Sequence, residues 1–122
     1  MARPSIYSDE LAERICDRLA AGRSLRLICQ DADVPSRDTV RRWLRDRLAF
    51  RARYAQSCEL RADALADEAL AIADDSSRDY RSGPSGLVLD ADRLRRDRLR
   101  IDARKFSAAR MAPRRYGDPP RA

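Results

Sequence analysis

The sequence predicts an all-α chain: an N-terminal helix-turn-helix domain followed by a long antiparallel helical hairpin used for oligomerisation. Three observations lead there. Apolar residues recur at three- and four-residue intervals in each patterned segment. Leu48 to Ala73 and Asp90 to Ala112 contain neither glycine nor proline. Gly22, Pro35 and Pro113 fall where those patterns stop. The resulting division is residues 1–47 as the helix-turn-helix domain, 48–112 as the hairpin, and 113–122 as an extended basic tail.

Residues 1–7 read as a short flexible arm. Ser8 caps the first helix, with Asp9 and Glu10 at the positive end of its dipole. Leu11, Ile15 and Leu19 form the apolar face, flanked by Ala12, Cys16 and Ala20, and Gly22 ends the helix. Ser24 caps the second helix, whose apolar face is Leu25, Ile28, Cys29 and Ala32. Asp33-Val34-Pro35 makes the turn, with Asp33 standing where a left-handed glycine is usual. Ser36 caps the third helix, which runs to Arg45. Val40, Trp43 and Leu44 share its inner face, and Arg37, Arg41 and Arg45 the opposite one.

Beyond Leu48, Cys58, Ala62, Leu65, Ala69 and Ile72 follow a heptad seam, with Ala55, Ala62, Ala66 and Ala73 as a stripe of small residues. Residues 74–86, rich in Ser, Asp, Gly and Pro, read as a loop. The next helix starts at Leu87 or Asp90 and stops at Pro113. It has two apolar stripes: Leu94, Ile101, Ala108 and Ala112, and, about 120–160° away, Leu99 and Phe106. A helix covered on two sides needs two neighbours. Leu65, Ala69, Ile72, Leu94, Leu99, Ile101 and Phe106 are therefore the candidate oligomer contacts, and two distinct faces close head-to-tail into a ring.

Composition narrows the chemistry. Histidine is absent, which removes imidazole catalysis and most zinc sites. Gly22, Gly83, Gly86 and Gly117 cannot build a phosphate-binding loop. Cys16, Cys29 and Cys58 form no CxxC and read as buried, reduced thiols. Asp63, Asp67, Glu68, Asp74 and Asp75 read as a solvated helix face rather than a metal site. The expectation is a protein with no catalytic residues, cofactor or metal. No apolar run is long enough to cross a membrane and no leader is visible, so a cytosolic protein is expected.

Charge points to the partner. Of 26 basic residues all but Lys105 are arginine, against 20 acids, giving a net charge of +6. Residues 1–54 carry +4, 55–88 carry −4 and 89–122 carry +6. Uniform codon bias explains the arginine preference but not this distribution. Residues 36–53 alone hold seven arginines against Asp38 and Asp46. In a helix-turn-helix the third helix lies in the major groove of double-stranded DNA. Arg37, Arg41, Arg42 and Arg45 are then the candidate contacts to bases or phosphates, with Ser36 at the helix N-terminus near a phosphate. Trp43, on the inner face, reads as core, and Tyr7, Tyr54, Tyr80 and Tyr116 as scattered residues that build no stacking platform.

The order of motifs adds a resemblance. Ser36-x-x-Thr39-Val40-x-Arg42-Trp43-Leu44 is followed by Phe50-Arg51-x-x-Tyr54-Ala55, Arg61-Ala62-Asp63-x-Leu65 and Ile72-Ala73-Asp74. Arg98-Leu99-Arg100-Ile101-Asp102-x-Arg104-Lys105-Phe106 and Ala109-Arg110-Met111-x-Pro113-Arg114-Arg115-Tyr116-Gly117-Asp118 close the run. From Tyr7 to Asp118 the chain resembles the terminase small subunits of tailed double-stranded-DNA phages, the short type with an N-terminal helix-turn-helix. The resemblance implies a homo-oligomeric ring of roughly eight or more subunits, acting in the cytoplasm of a bacterial host. It also implies binding to packaging-initiation DNA and transfer of that DNA to a large subunit that holds the ATPase and nuclease. Relatives continue past Tyr-Gly-Asp into a β segment that builds a small barrel; here Pro119-Pro120-Arg121-Ala122 follow, so the barrel and any docking through it are not carried over. The alternatives are a dimeric helix-turn-helix transcription regulator and a DNA-binding accessory of a transposase or gene-transfer particle.

Overall fold

A computed structural model describes residues 6–118 of the chain. It contains α1 (Asp9–Ala20), α2 (Leu25–Ile28), α3 (Arg37–Asp46), α4 (Leu48–Asp74), β1 (Tyr80–Gly83), β2 (Gly86–Leu89), α5 (Ala91–Met111) and α6 (Pro113–Tyr116). Two compact units divide it, Met1–Ala64 and Leu65–Ala122.

In the first unit Ser8 caps α1 as expected, its Oγ accepting from Leu11 N at 3.1 Å. Gly22 leaves the helix with φ of 110°, a conformation that costs a side-chain-bearing residue about 1–2 kcal/mol. The Arg61 Nε donates to the Gly22 carbonyl at 3.2 Å and ties this turn to α4. Leu11, Ile15 and Leu19 pack with Ile28, Val34, Val40, Trp43 and Phe50 into one core. Phe50 is fully buried, so the unit continues past residue 47 into the first turns of α4.

Three local expectations change here. The second helix ends at Ile28, and Ala32 is exposed rather than on an apolar face. Asp33 does not adopt the left-handed conformation: among the described residues only Gly22 and Gly86 have positive φ. The turn is instead held by charge. Arg18 donates through both Nη atoms to Asp33, at 2.8 and 2.7 Å, and Arg23 through both to Asp31, at 2.7 and 3.0 Å. Arg18 also reaches Asp31, and Arg14 reaches Asp33, at 2.8 and 3.2 Å. Finally, Tyr7 is not part of a flexible arm. Its ring meets Trp43 edge-on at 5.2 Å and Phe50 at 6.0 Å, while Phe50 meets Tyr54 at 6.0 Å. Tyr7, Trp43 and Tyr54, read as scattered or core, thus form one T-shaped series of four rings with Phe50, an arrangement favoured by ring quadrupoles.

In the second unit α4 and α5 run antiparallel. Glu68 Oε2 accepts from Arg104 Nε at 2.9 Å. One groove is lined by Ala66, Ala69, Leu70 and Ala73 with Ile101, Lys105 and Ala108, and a pocket by Ala71, Ile72 and Asp75 with Arg93, Asp97 and Arg100. Between the helices the expected loop contains an antiparallel hairpin pairing Tyr80 with Leu89 and Gly83 with Gly86. The Ser/Gly/Pro content hid two short strands. Pro84-Ser85 forms the turn, and a Cβ on Gly83 would sit 2.9 Å from Val88 Cγ1 and 3.1 Å from the Gly86 carbonyl oxygen, so a side chain there would force Val88 or the turn to shift. Asp90 N donates to Asp79 O at 2.7 Å and closes the hairpin base. Asp90 then caps α5, accepting from Arg93 N, so Leu87–Leu89 belong to the strand and not to the helix. The start of the tail is also helical rather than extended. Pro113 ends α5 yet opens α6, because a missing N–H is tolerated in a first helical turn. The rest of the expected tail, residues 119–122, lies outside the described residues.

Candidate nucleic-acid interface

α3 is positioned by its inner face. Val40 and Trp43 are buried in the core, and Leu44 is partly buried against it. Ser36 caps the helix as expected, its Oγ 3.4 Å from Thr39 N and 3.1 Å from Thr39 Oγ1. At the other end Arg51 donates to the carbonyls of Leu44 and Arg45, at 3.0 and 3.1 Å. A cation there complements the negative end of the dipole and satisfies carbonyls that lack helical partners. The sequence reading missed this role; a basic residue one turn beyond a helix end was the available signal.

The outer face is cationic. Ser36, Arg37, Arg41, Arg42 and Arg45 are all exposed. Arg45 Nε lies 3.3 Å from Asp46 Oδ1. Among the described residues Arg37, Arg41 and Arg42 form no ion pair, so the i±4 partners Asp38 and Asp46 do not neutralise Arg42. Three unneutralised guanidiniums on a braced helix can make bidentate bonds to phosphate oxygens or guanine edges. Arg47 behaves differently: its guanidinium carbon stacks 3.9 Å from the Tyr7 ring centroid.

The electrostatics of the turn support this face. The Arg18 guanidinium holds the Asp33 carboxyl down at about 2, and Arg23 lowers that of Asp31. Both acids in the turn before α3 are thereby committed to α1 and the α1–α2 turn. The cysteines are free thiols. Burial pushes the Cys16 and Cys58 thiols up, and Tyr54 up to about 12, which favours their neutral forms. Among the described residues no acid or cysteine cluster could hold a metal, and no helix is long and apolar enough to cross a membrane.

The seven candidate oligomer contacts fall into two sets. Leu65 and Ala69 are buried within the chain, and Ile72, Leu94 and Ile101 are partly buried along the hairpin. Leu99 and Phe106 are 61% and 64% exposed. The second apolar stripe of α5 is thus uncovered in the single chain, together with Leu70 on α4.

Comparison with known proteins places this arrangement. No curated protein matches the chain. Three crystal structures of the terminase small subunit gp1 of the bacterial virus Sf6, each with a point substitution, are 39% identical to it and align with 98% of its length. One has a TM-score of 0.75 with 88% of its own chain covered; the other two have 0.74 with 83% covered. The family model described as Bacteriophage Sf6, terminase small subunit-like matches residues 7–122. With the likeness extending over sequence and fold alike, the chain belongs to the Sf6-like family of phage terminase small subunits.

Proposed function

We propose that this small subunit is the non-catalytic DNA-recognition component of a viral DNA-packaging terminase. Residues 1–47 bind double-stranded packaging-initiation DNA, with the outer face of α3 in the major groove. The hairpin of residues 48–112 assembles copies into a ring, and the assembly delivers DNA to the large subunit and regulates its ATPase and nuclease. The carrying observation is the set of Arg37, Arg41 and Arg42, exposed and without ion-pair partners among the described residues on a helix whose opposite face is fixed by Val40 and Trp43. Unpaired arginines at fixed positions release DNA counterions without first breaking protein ion pairs.

Fluorescence anisotropy with labelled duplex tests this. Arg41→Ala leaves thermal stability unchanged, weakens binding, and reduces the salt slope by ~0.9 if Arg41 meets one phosphate. If it reads a base, discrimination between sites drops by ~1–3 kcal/mol instead. Normal duplex binding by the combined Arg37, Arg41, Arg42 and Arg45 alanine variant refutes the groove model and shifts attention to Arg110, Arg114, Arg115 and Arg121.

A further inference from the structure

The second unit has an open pocket of about 270 Å³ at the hairpin-loop end of α4 and α5, lined by Ala71, Ile72, Asp75, Arg78, Arg93, Asp97 and Arg100. That is smaller than the ~300–1,000 Å³ of drug-sized ligand sites and suits a small ion. Three guanidiniums from two segments converge there against two carboxylates. The carboxylates are heavily shared. Asp97 Oδ1 accepts from Arg100 Nη1 at 3.2 Å and lies 3.4 Å from Arg93 Nε, in poor alignment. Asp75 Oδ1 is occupied by Ser77 N at 2.9 Å. The Arg93 Nε is fully buried and has no hydrogen-bond partner among the described residues. A buried donor left unmet is costly, so Asp97 does not fully satisfy the Arg93 guanidinium.

We infer that Arg78, Arg93 and Arg100 form an anion site for a phosphate group, separate from the α3 face. The arginine fork matches phosphate oxygens in pairs, and the excess of one positive charge in the pocket favours an anion over a neutral ligand. Arg93 and Arg100 both lie beside Asp97 and share its charge, while Arg78, exposed on the connection before β1, is open to a ligand. The phosphate comes either from a DNA backbone or from a free phosphate compound, and the chemistry at the pocket is the same.

Isothermal titration calorimetry of the full chain with pyrophosphate at constant ionic strength reads the site. Saturable binding is expected, weakened about tenfold or more by Arg78→Gln and by Arg93→Gln, and unchanged by Arg42→Gln. Arg78→Gln is the decisive variant, because an exposed side chain can be changed without unfolding the hairpin; circular dichroism checks this. No saturable heat, or equal binding by the Arg78→Gln variant, overturns the site. Weakening by Arg42→Gln alone assigns the anion to α3 and overturns it too. The source is separated with duplex DNA added to the Arg37, Arg41, Arg42 and Arg45 alanine variant. Residual binding abolished by Arg78→Gln identifies the DNA backbone. Residual binding unaffected by it, alongside the pyrophosphate response, identifies a free phosphate compound.

Discussion

Phe106→Ala separates assembly from folding. The ring is 64% exposed, on the same α5 stripe as Leu99, and the Arg110 guanidinium lies 5.5 Å from its centroid. A fully buried phenylalanine costs about 3–5 kcal/mol of stability when truncated to alanine. Phe106 touches too little of its own chain for that, and alanine is the better helix former, so intrinsic stability should change by no more than about 0.5 kcal/mol. A neighbouring copy that covers the exposed part is another matter. With ~200 Å² for a phenylalanine and ~25 cal/mol per Å², the contact is worth ~3 kcal/mol per interface. That corresponds to roughly two-hundredfold weaker association at each contact. Light scattering at micromolar concentration should show a ring for the parent and a shift toward small species for the variant. Urea midpoints taken dilute, where both are dissociated, should coincide. An unchanged mass would refute the reasoning, since Phe106 would then remain exposed in the assembly. A large loss of intrinsic stability would also refute it.

Asp33→Ala should remove about 1 kcal/mol near neutral pH, a value reduced for solvent screening because the side chain is 41% exposed. The Asp33 carboxyl sits at about 2 in the folded chain against 3.8 ordinarily, so its contribution is complete above pH 4 and lost as pH falls toward 2; melting curves of parent and variant should converge over that window. Gly22→Ala should lower stability by about 1–2 kcal/mol in urea titrations without altering duplex affinity, because φ of 110° is strained for alanine. Trp43, 4% exposed and held edge-on by Tyr7, should keep its emission maximum when duplex is added; a shift or strong quenching would place it at the interface rather than in the core.

The elements legible in the sequence were those fixed by local periodicity. Ser8, Ser24 and Ser36 each cap the helix they precede, and the seam of Ala62, Leu65 and Ala69 is buried. The same periodicity separated Val40 and Trp43 from Arg37 and Arg41, because a 3.6-residue turn assigns faces without reference to the rest of the chain. The alternation of charge and the absence of histidine likewise need no coordinates. Tertiary structure decided what depends on distant partners. Tyr7 packs on the core only because Trp43 and Phe50 come to meet it, and Asp33 holds its turn only because α1 presents Arg14 and Arg18. The strands Tyr80–Gly83 and Gly86–Leu89 lie in a segment whose composition favours a loop; their pairing is a property of two segments at once, and no window along one of them contains it. Composition supplied the arginines in the same way, but only the fold decides which are consumed by acids and which are left without an acidic partner.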